Sequence, residues 1–107
     1  MQEERFTKKD WTLFKNKIVD WQEAYMDKLN KKYIEILRKD GSPSDKFWEL
    51  EKRINRDKKK KGVCLEMKRS ELIFYLVELL NEGVIRLEDL DEFSDGLKET
   101  VRLFYKR

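Results

Sequence analysis

The side chains from which chemistry would have to be built are few. There is one cysteine, Cys64, there are four serines, Ser42, Ser44, Ser70 and Ser94, and there are many carboxylates, but no histidine occurs in the 107 residues. Without histidine the commonest general base is missing, and with it every Ser-His, Cys-His and His-metal arrangement. One cysteine rules out an internal disulfide and leaves too few ligands for zinc sites of the usual Cys/His type. Three of the serines stand where a helix N-cap is wanted and Ser44 lies inside a first turn, so capping explains them better than nucleophilic work. Cys64 reads as a small core residue beside Val63 and Leu65, although the lysine run before it would activate an exposed thiol.

The densest carboxylate set is Glu88, Asp89, Asp91, Glu92 and Asp95. It lacks the alternating ligand positions and central glycine of an EF-hand loop, and is read as a solvated helix start that suits the dipole. No glycine-rich phosphate loop is present. The expectation is a protein that is not an enzyme and uses no cofactor, metal or small-molecule substrate.

Three surfaces remain as candidates. The first is an aromatic stripe, Trp11, Phe14, Trp21, Tyr25 and Tyr33 with Trp48 beside it, because Trp and Tyr are enriched at interface centres. The second is a basic run, Lys52, Arg53, Arg56, Lys58, Lys59, Lys60, Lys61, Lys68 and Arg69, which Lys28, Lys31, Lys32, Arg38 and Lys39 would extend toward nucleic-acid phosphates. The third is the acidic set over 82–99, which could occupy a basic groove as a nucleic-acid mimic does in inhibitors of nucleases or CRISPR effectors. The charge is split: residues 1–62 hold 18 Lys+Arg against 12 Asp+Glu, a net +6, and residues 63–107 hold 7 against 10, a net −3. Leu79 and Gly83 have the spacing of a helix-turn-helix turn, but the next segment carries acids where DNA demands positive charge.

The elements that must position these residues are helical. Only one proline and four glycines interrupt the chain, and 44% of it is charged. The 13 aromatic residues bury about 150–250 Å² each and so supply a core despite that charge. Thr7 and Asp10 form an Asp variant of the capping box, with Phe6 just before it. From there Trp11, Phe14, Ile18, Trp21, Tyr25, Leu29, Tyr33 and Ile36 recur at spacings of three and four, with Val19, Met26 and Leu37 widening the stripe. This predicts one long helix ending at Asp40-Gly41, with Gly41 as a left-handed cap.

Ser42-Pro43-Ser44-Asp45 starts a second helix, with an apolar stripe of Phe47, Leu50 and Ile54, extending through the lysines to Gly62. Val63, Leu65 and Met67 face inward from a short extended segment over 63–67. Ser70 caps a third helix, Glu71 to Asn81, apolar nearly all round and therefore central, with Gly83 ending it. A short helix over 87–93 follows. Ser94 then caps a last one, with Leu97, Val101 and Phe104 inward and Lys106-Arg107 closing the chain.

The predicted architecture is all-α, a single domain over 1–107. A long N-terminal helix pairs with an antiparallel second helix, beside a cluster of three shorter C-terminal helices. The N-terminus, Met1-Gln2-Glu3-Glu4-Arg5, is polar and acidic with no apolar segment behind it, and the longest apolar run, Leu72 to Val77, is too short to span a bilayer. The expectation is a cytoplasmic protein, of the texture of a small bacterial accessory protein. It would be a non-enzymatic binding or regulatory module acting through protein contacts and self-associating, as a homodimer. Nucleic-acid backbone binding through 52–69 and acidic mimicry are the alternatives.

Overall fold

The computed structural model describes residues 5–105, and these are all-helical, with no strand among them. The acidic Met1 to Glu4 and the closing Lys106-Arg107 lie outside the described residues. Four α-helices, α1 (Lys8–Arg38), α2 (Pro43–Asp57), α3 (Leu72–Asn81) and α4 (Asp95–Phe104), are joined with 3₁₀ turns at Arg69–Glu71 and Leu87–Leu90.

α1 begins as its sequence dictates. The Asp10 backbone N–H donates to the Thr7 hydroxyl (3.0 Å) and the Thr7 N–H donates to the Asp10 carboxylate (2.9 Å), a reciprocal capping box. The same carboxylate also accepts from the Ser94 N–H (2.9 Å) and the Ser94 hydroxyl (2.6 Å), 84 residues away. Ser94 in turn caps α4, its hydroxyl accepting from the Leu97 N–H. One buried carboxylate thus joins the starts of α1 and α4. Burial pushes its pKa up, but the hydrogen bonds from Ser94 and Thr7 outweigh burial and hold it below the ordinary 3.8.

Around that junction lies the core. Phe14 and Ile18 of α1 pack with Leu72, Tyr75, Leu76, Leu79 and Leu80 of α3, with Leu97 and Val101 of α4, and with Ile85, Leu90 and Phe93 between them. Phe14 stacks on Trp11 and Tyr75 at centroid separations of 5.8 and 6.0 Å. This cluster reaches α1 only as far as Ile18, with Trp21 packed against it. α1 is 31 residues long, about 46 Å at 1.5 Å per residue, so its second half runs on beyond the core, beside α2 and the turn that follows it. The radius of gyration is 16.8 Å, against about 13 Å for a compact chain of this length, and the extents are 58 × 25 × 25 Å.

Several boundaries differ from the sequence reading. α1 ends at Arg38 because Lys39 turns into extended backbone (ψ 157°). Gly41, at φ 151°, has positive φ but not the left-handed helical value. α2 stops at Asp57 rather than running to Gly62, since Lys60 N–H bonds back to the Asp57 carbonyl and the chain breaks into turns. Ser70 does not cap α3; it sits within the 3₁₀ turn, and no side chain caps α3. The segment 63–67 pairs with no strand. It is held instead by the Tyr75 hydroxyl, which donates to the Glu66 carbonyl and accepts from the Lys68 N–H. Met67 and Cys64 are exposed, so Cys64 is no core residue. α3 is buried on one face only, with Phe74 half exposed, and Phe104 is exposed rather than inward. Gly83 does close α3 as predicted: its φ is 76°, its N–H reaches the Leu80 carbonyl and the Val84 N–H reaches that of Leu79.

The turn after α2 is anchored to α1 and to the end of α3. The Glu82 carboxylate accepts from the Lys61 and Gly62 N–H groups (3.0 Å each), and the Gln22 amide donates to the Lys61 carbonyl (2.9 Å). Gly62 is required there by space. A Cβ would stand 2.5 Å from Tyr25 Cδ2 and 2.6 Å from Val84 Cγ2.

Two outcomes follow for stability. Asp10→Ala removes three hydrogen bonds and both helix starts lose a partner, a cost of about 3 kcal/mol in urea unfolding. Because the folded pKa of Asp10 is depressed, its contribution is fully present above the unfolded value near 3.8 and is lost as pH falls through the folded value. The acid limb of the stability curve is therefore shallower in the variant than in the wild type. Gly62→Ala costs about 2 kcal/mol, as overpacking against two core-facing side chains does, and thermal melts with an unchanged midpoint would refute the close approach.

Candidate functional site

The α1–α2 hairpin is where the sequence pattern and the structure part company. Asp57 is the buried residue of α2, and Lys46, Glu49, Leu50, Arg53 and Asn55 are half-buried. The helix therefore lays a largely charged row against α1. Leu50 apart, its large apolar residues stay outside: Phe47 is 60% exposed, Trp48 62% and Ile54 40%.

Polar pairs fasten the two helices in antiparallel order. Lys39 meets Glu49 (3.0 Å), the Tyr33 hydroxyl donates to Asp57 (2.7 Å), and Lys60 donates to the Tyr25 hydroxyl (3.4 Å). Asp57 is also faced by Arg56 and Lys60, each at 3.4 Å. Burial pushes the Asp57 carboxyl up, but the Tyr33 hydrogen bond and the two cations outweigh it and hold the group below 3.8. Burial, followed by the hydrogen bond and the charge of Asp57, pushes the Tyr33 phenol up to about 12.

Of the six aromatic candidates for an interface, five turn inward. Phe14 and Tyr25 are buried, and Trp11, Trp21 and Tyr33 are half-buried. Trp48 alone of the six lies in the open, with the Phe47 ring edge-on to it at 4.9 Å. Val19 and Leu37, expected to widen the buried stripe, are instead exposed, as is Ile34. Sequence reasoning missed Phe47 and Ile34 as surface residues, because α2 carries both an apolar stripe and a charged row, and the chain buries the charged one.

Phe47, Ile54 and Leu37 lie on one side of the hairpin, beside partly covered apolar residues. Met26, Leu29, Asn30 and Tyr33 of α1 line a groove of about 270 Å³ with Ile54, Lys58 and Val63. Ile54 belongs also to a second groove, about 220 Å³, along Phe47, Leu50, Glu51 and Asn55. Leu37 follows Met26, Asn30 and Tyr33 on the same side of α1 by helical spacing. On the other side a polar groove of about 300 Å³ is lined by Lys32, Glu35, Ile36 and Lys39 of α1 and Glu49 and Arg53 of α2. A separate apolar groove of about 510 Å³ lies between α3 and α4, lined among others by Ile73, Phe74, Val77 and Phe104.

The basic run does not form one patch. Lys52, Arg56, Lys58 and Lys59 are exposed on the hairpin. Lys60 is turned in to Asp57 and Tyr25, and the Lys61 ammonium lies over the Phe74 ring at 5.8 Å. Lys68 pairs with Glu66, and Arg69 lies over the Phe6 ring, both at the start of α3. The acidic set is split in a similar way. Glu92 is paired with Lys17 (2.5 Å), Asp95 with Lys98 (3.5 Å), and Glu88 stands 4.0 Å from Arg86. Asp89 caps the 3₁₀ turn by accepting from the Arg86 N–H, and Asp91 is exposed. Glu82, which the sequence places with these acids, is the clamp on the lysine turn.

Among the described residues no three His, Cys, Asp or Glu side chains come together as a metal site, and no helix is long and apolar enough to cross a membrane.

The Tyr33–Asp57 bond has a measurable consequence. With its folded pKa raised from 10.0 to about 12, Tyr33 contributes stability that is fully present below pH 10 and is lost as pH rises through the folded value. Tyr33→Phe removes this alkaline loss and leaves Asp57 short of a donor, costing about 2 kcal/mol at neutral pH. Chemical denaturation of both proteins from pH 8 to 12 checks it.

Compared with protein-family models, with curated proteins and with solved structures, the chain finds no match.

Proposed function

We propose that this chain is a non-enzymatic interaction module that pairs with a second copy of itself through the apolar side of the α1–α2 hairpin. The observation that carries this reading is the exposure of Phe47, Ile54 and Leu37 together on a hairpin that already has its own polar fastening. Apolar area left contiguous in this way usually marks an interface.

The occupant is argued from charge. Glu51 lies beside Phe47 and Ile54 in the first half of the α2 groove, and Lys58 lies beside Ile54 just past its end. Two copies laid antiparallel across this face bring Glu51 of each against Lys58 of the other, with Ile54 between the two pairs and Phe47 just outside them. A two-fold interface must be self-complementary in this sense. The α3–α4 groove has no such pairing and is not part of the reading.

Sedimentation equilibrium at micromolar concentrations is expected to show a dimer. Phe47→Glu and Ile54→Glu each weaken it more than tenfold, with folding stability changed by only about 0.5 kcal/mol, because both side chains are exposed in the monomer. A monomer at every concentration, or a dimer indifferent to both substitutions, overturns the proposal.

A further inference from the structure

The other side of the hairpin presents a different chemistry. Trp48, Lys52 and Arg56 stand at i, i+4 and i+8 on α2, one above the other on a single face, and Lys59 follows in the turn beyond Lys58; all four are exposed. From Trp48 to Arg56 the row covers about 12 Å along the helix. By helical spacing its Arg56 end adjoins the groove lined by Lys32, Glu35, Lys39, Glu49 and Arg53.

The acids nearby are each held in a contact, two of them on cations of this side: Asp57 lies 3.4 Å from Arg56 and Glu49 3.0 Å from Lys39, while Lys52 and Lys59 stand exposed. Glu49 is held by Lys39, Glu51 by the Asn55 amide, and Asp57 is turned into the hairpin, 1% exposed. Glu35 remains in the groove with Lys32. Arg53, half-buried, lines the same groove.

We infer that this face binds single-stranded nucleic acid, with phosphates along Lys52, Arg56, Lys32 and Arg53 and a base stacked on Trp48. The aromatic side chain decides the class. Cations alone bind any polyanion, but a tryptophan 62% exposed at the head of a basic row offers a stacking platform that an unpaired base fills and a stacked duplex base does not. The site adjoins the self-association face at Trp48, whose ring touches that of Phe47, and otherwise uses different residues, Lys52, Arg56, Lys32 and Arg53 rather than Ile54 and Leu37.

The test uses the full-length protein and a short fluorescein-labelled oligothymidylate, read by anisotropy. Binding is expected at low salt, with a log–log salt slope of about −3, as four phosphates on a single strand would give. The K52E/R56E double variant lowers affinity at least tenfold. Trp48→Ala lowers it about tenfold, and Trp48→Phe restores most of the loss, which a merely electrostatic contact would not show. All of these side chains are exposed, and circular dichroism confirms that each variant is folded. No binding at low salt overturns the inference. So does a duplex of the same length bound as tightly with Trp48→Ala without effect, which leaves only backbone attraction. Polyglutamate competing as well as the oligonucleotide also overturns it and reassigns the face to an acidic protein surface.

Discussion

The arrangement of this molecule turns on a buried carboxylate, Asp57, at the end of α2. It receives the Tyr33 hydroxyl, lies beside Arg56 and Lys60, and is 1% exposed. A buried ion cluster of this kind is weak evidence of stability, because desolvation offsets much of the attraction, but it tolerates few other geometries. It fixes which row of α2 meets α1. Once Asp57, Arg53 and Glu49 are committed to that side, Phe47 and Ile54 are left on one flank and Trp48, Lys52 and Arg56 on another. Both proposed binding faces are consequences of this single choice.

Asp10 plays the corresponding part in the body. Its carboxylate accepts three hydrogen bonds, from the Thr7 and Ser94 backbone N–H groups and from the Ser94 hydroxyl, and the capping box is closed by the Asp10 N–H donating to the Thr7 hydroxyl. A core of this size is modest. Joining the first and last helices through charge-assisted bonds gives it a defined closure that apolar contacts alone, being non-directional, would not. Glu82 then ties the lysine turn to the body through backbone donors, so the hairpin is held at its base while its tip stays free of the core.

Much of the fold was legible from local rules. The capping box at Thr7, Pro43 at the first turn of α2, the Gly83 closure and the Ser94 cap are local devices, and each appears where its sequence signature stands. Local rules failed where a side chain has two uses. Ser70 has a cap's identity but sits inside a 3₁₀ turn, and Val63 to Met67 alternates like a strand yet is held by one tyrosine hydroxyl. The candidate surfaces were legible only in part. Trp48, Lys52, Arg56 and Lys59 were named from type and spacing, but the charge run gave no sign that Lys60 and Lys61 turn inward.

By itself the sequence determined an all-helical chain, its main breaks, and the absence of histidine with all the chemistry that removes, because these follow from residue type and from interactions within four positions. Tertiary structure decided which faces are covered. The aromatic stripe of α1 reads as one continuous surface, but its first half meets α3 and α4, while its second half meets a helix that offers it charge. Helical periodicity says which residues share a side; it does not say which side a partner helix will take. That depended on pairs such as Tyr33 with Asp57 and Asp10 with Ser94, 24 and 84 residues apart, whose contact exists only after folding.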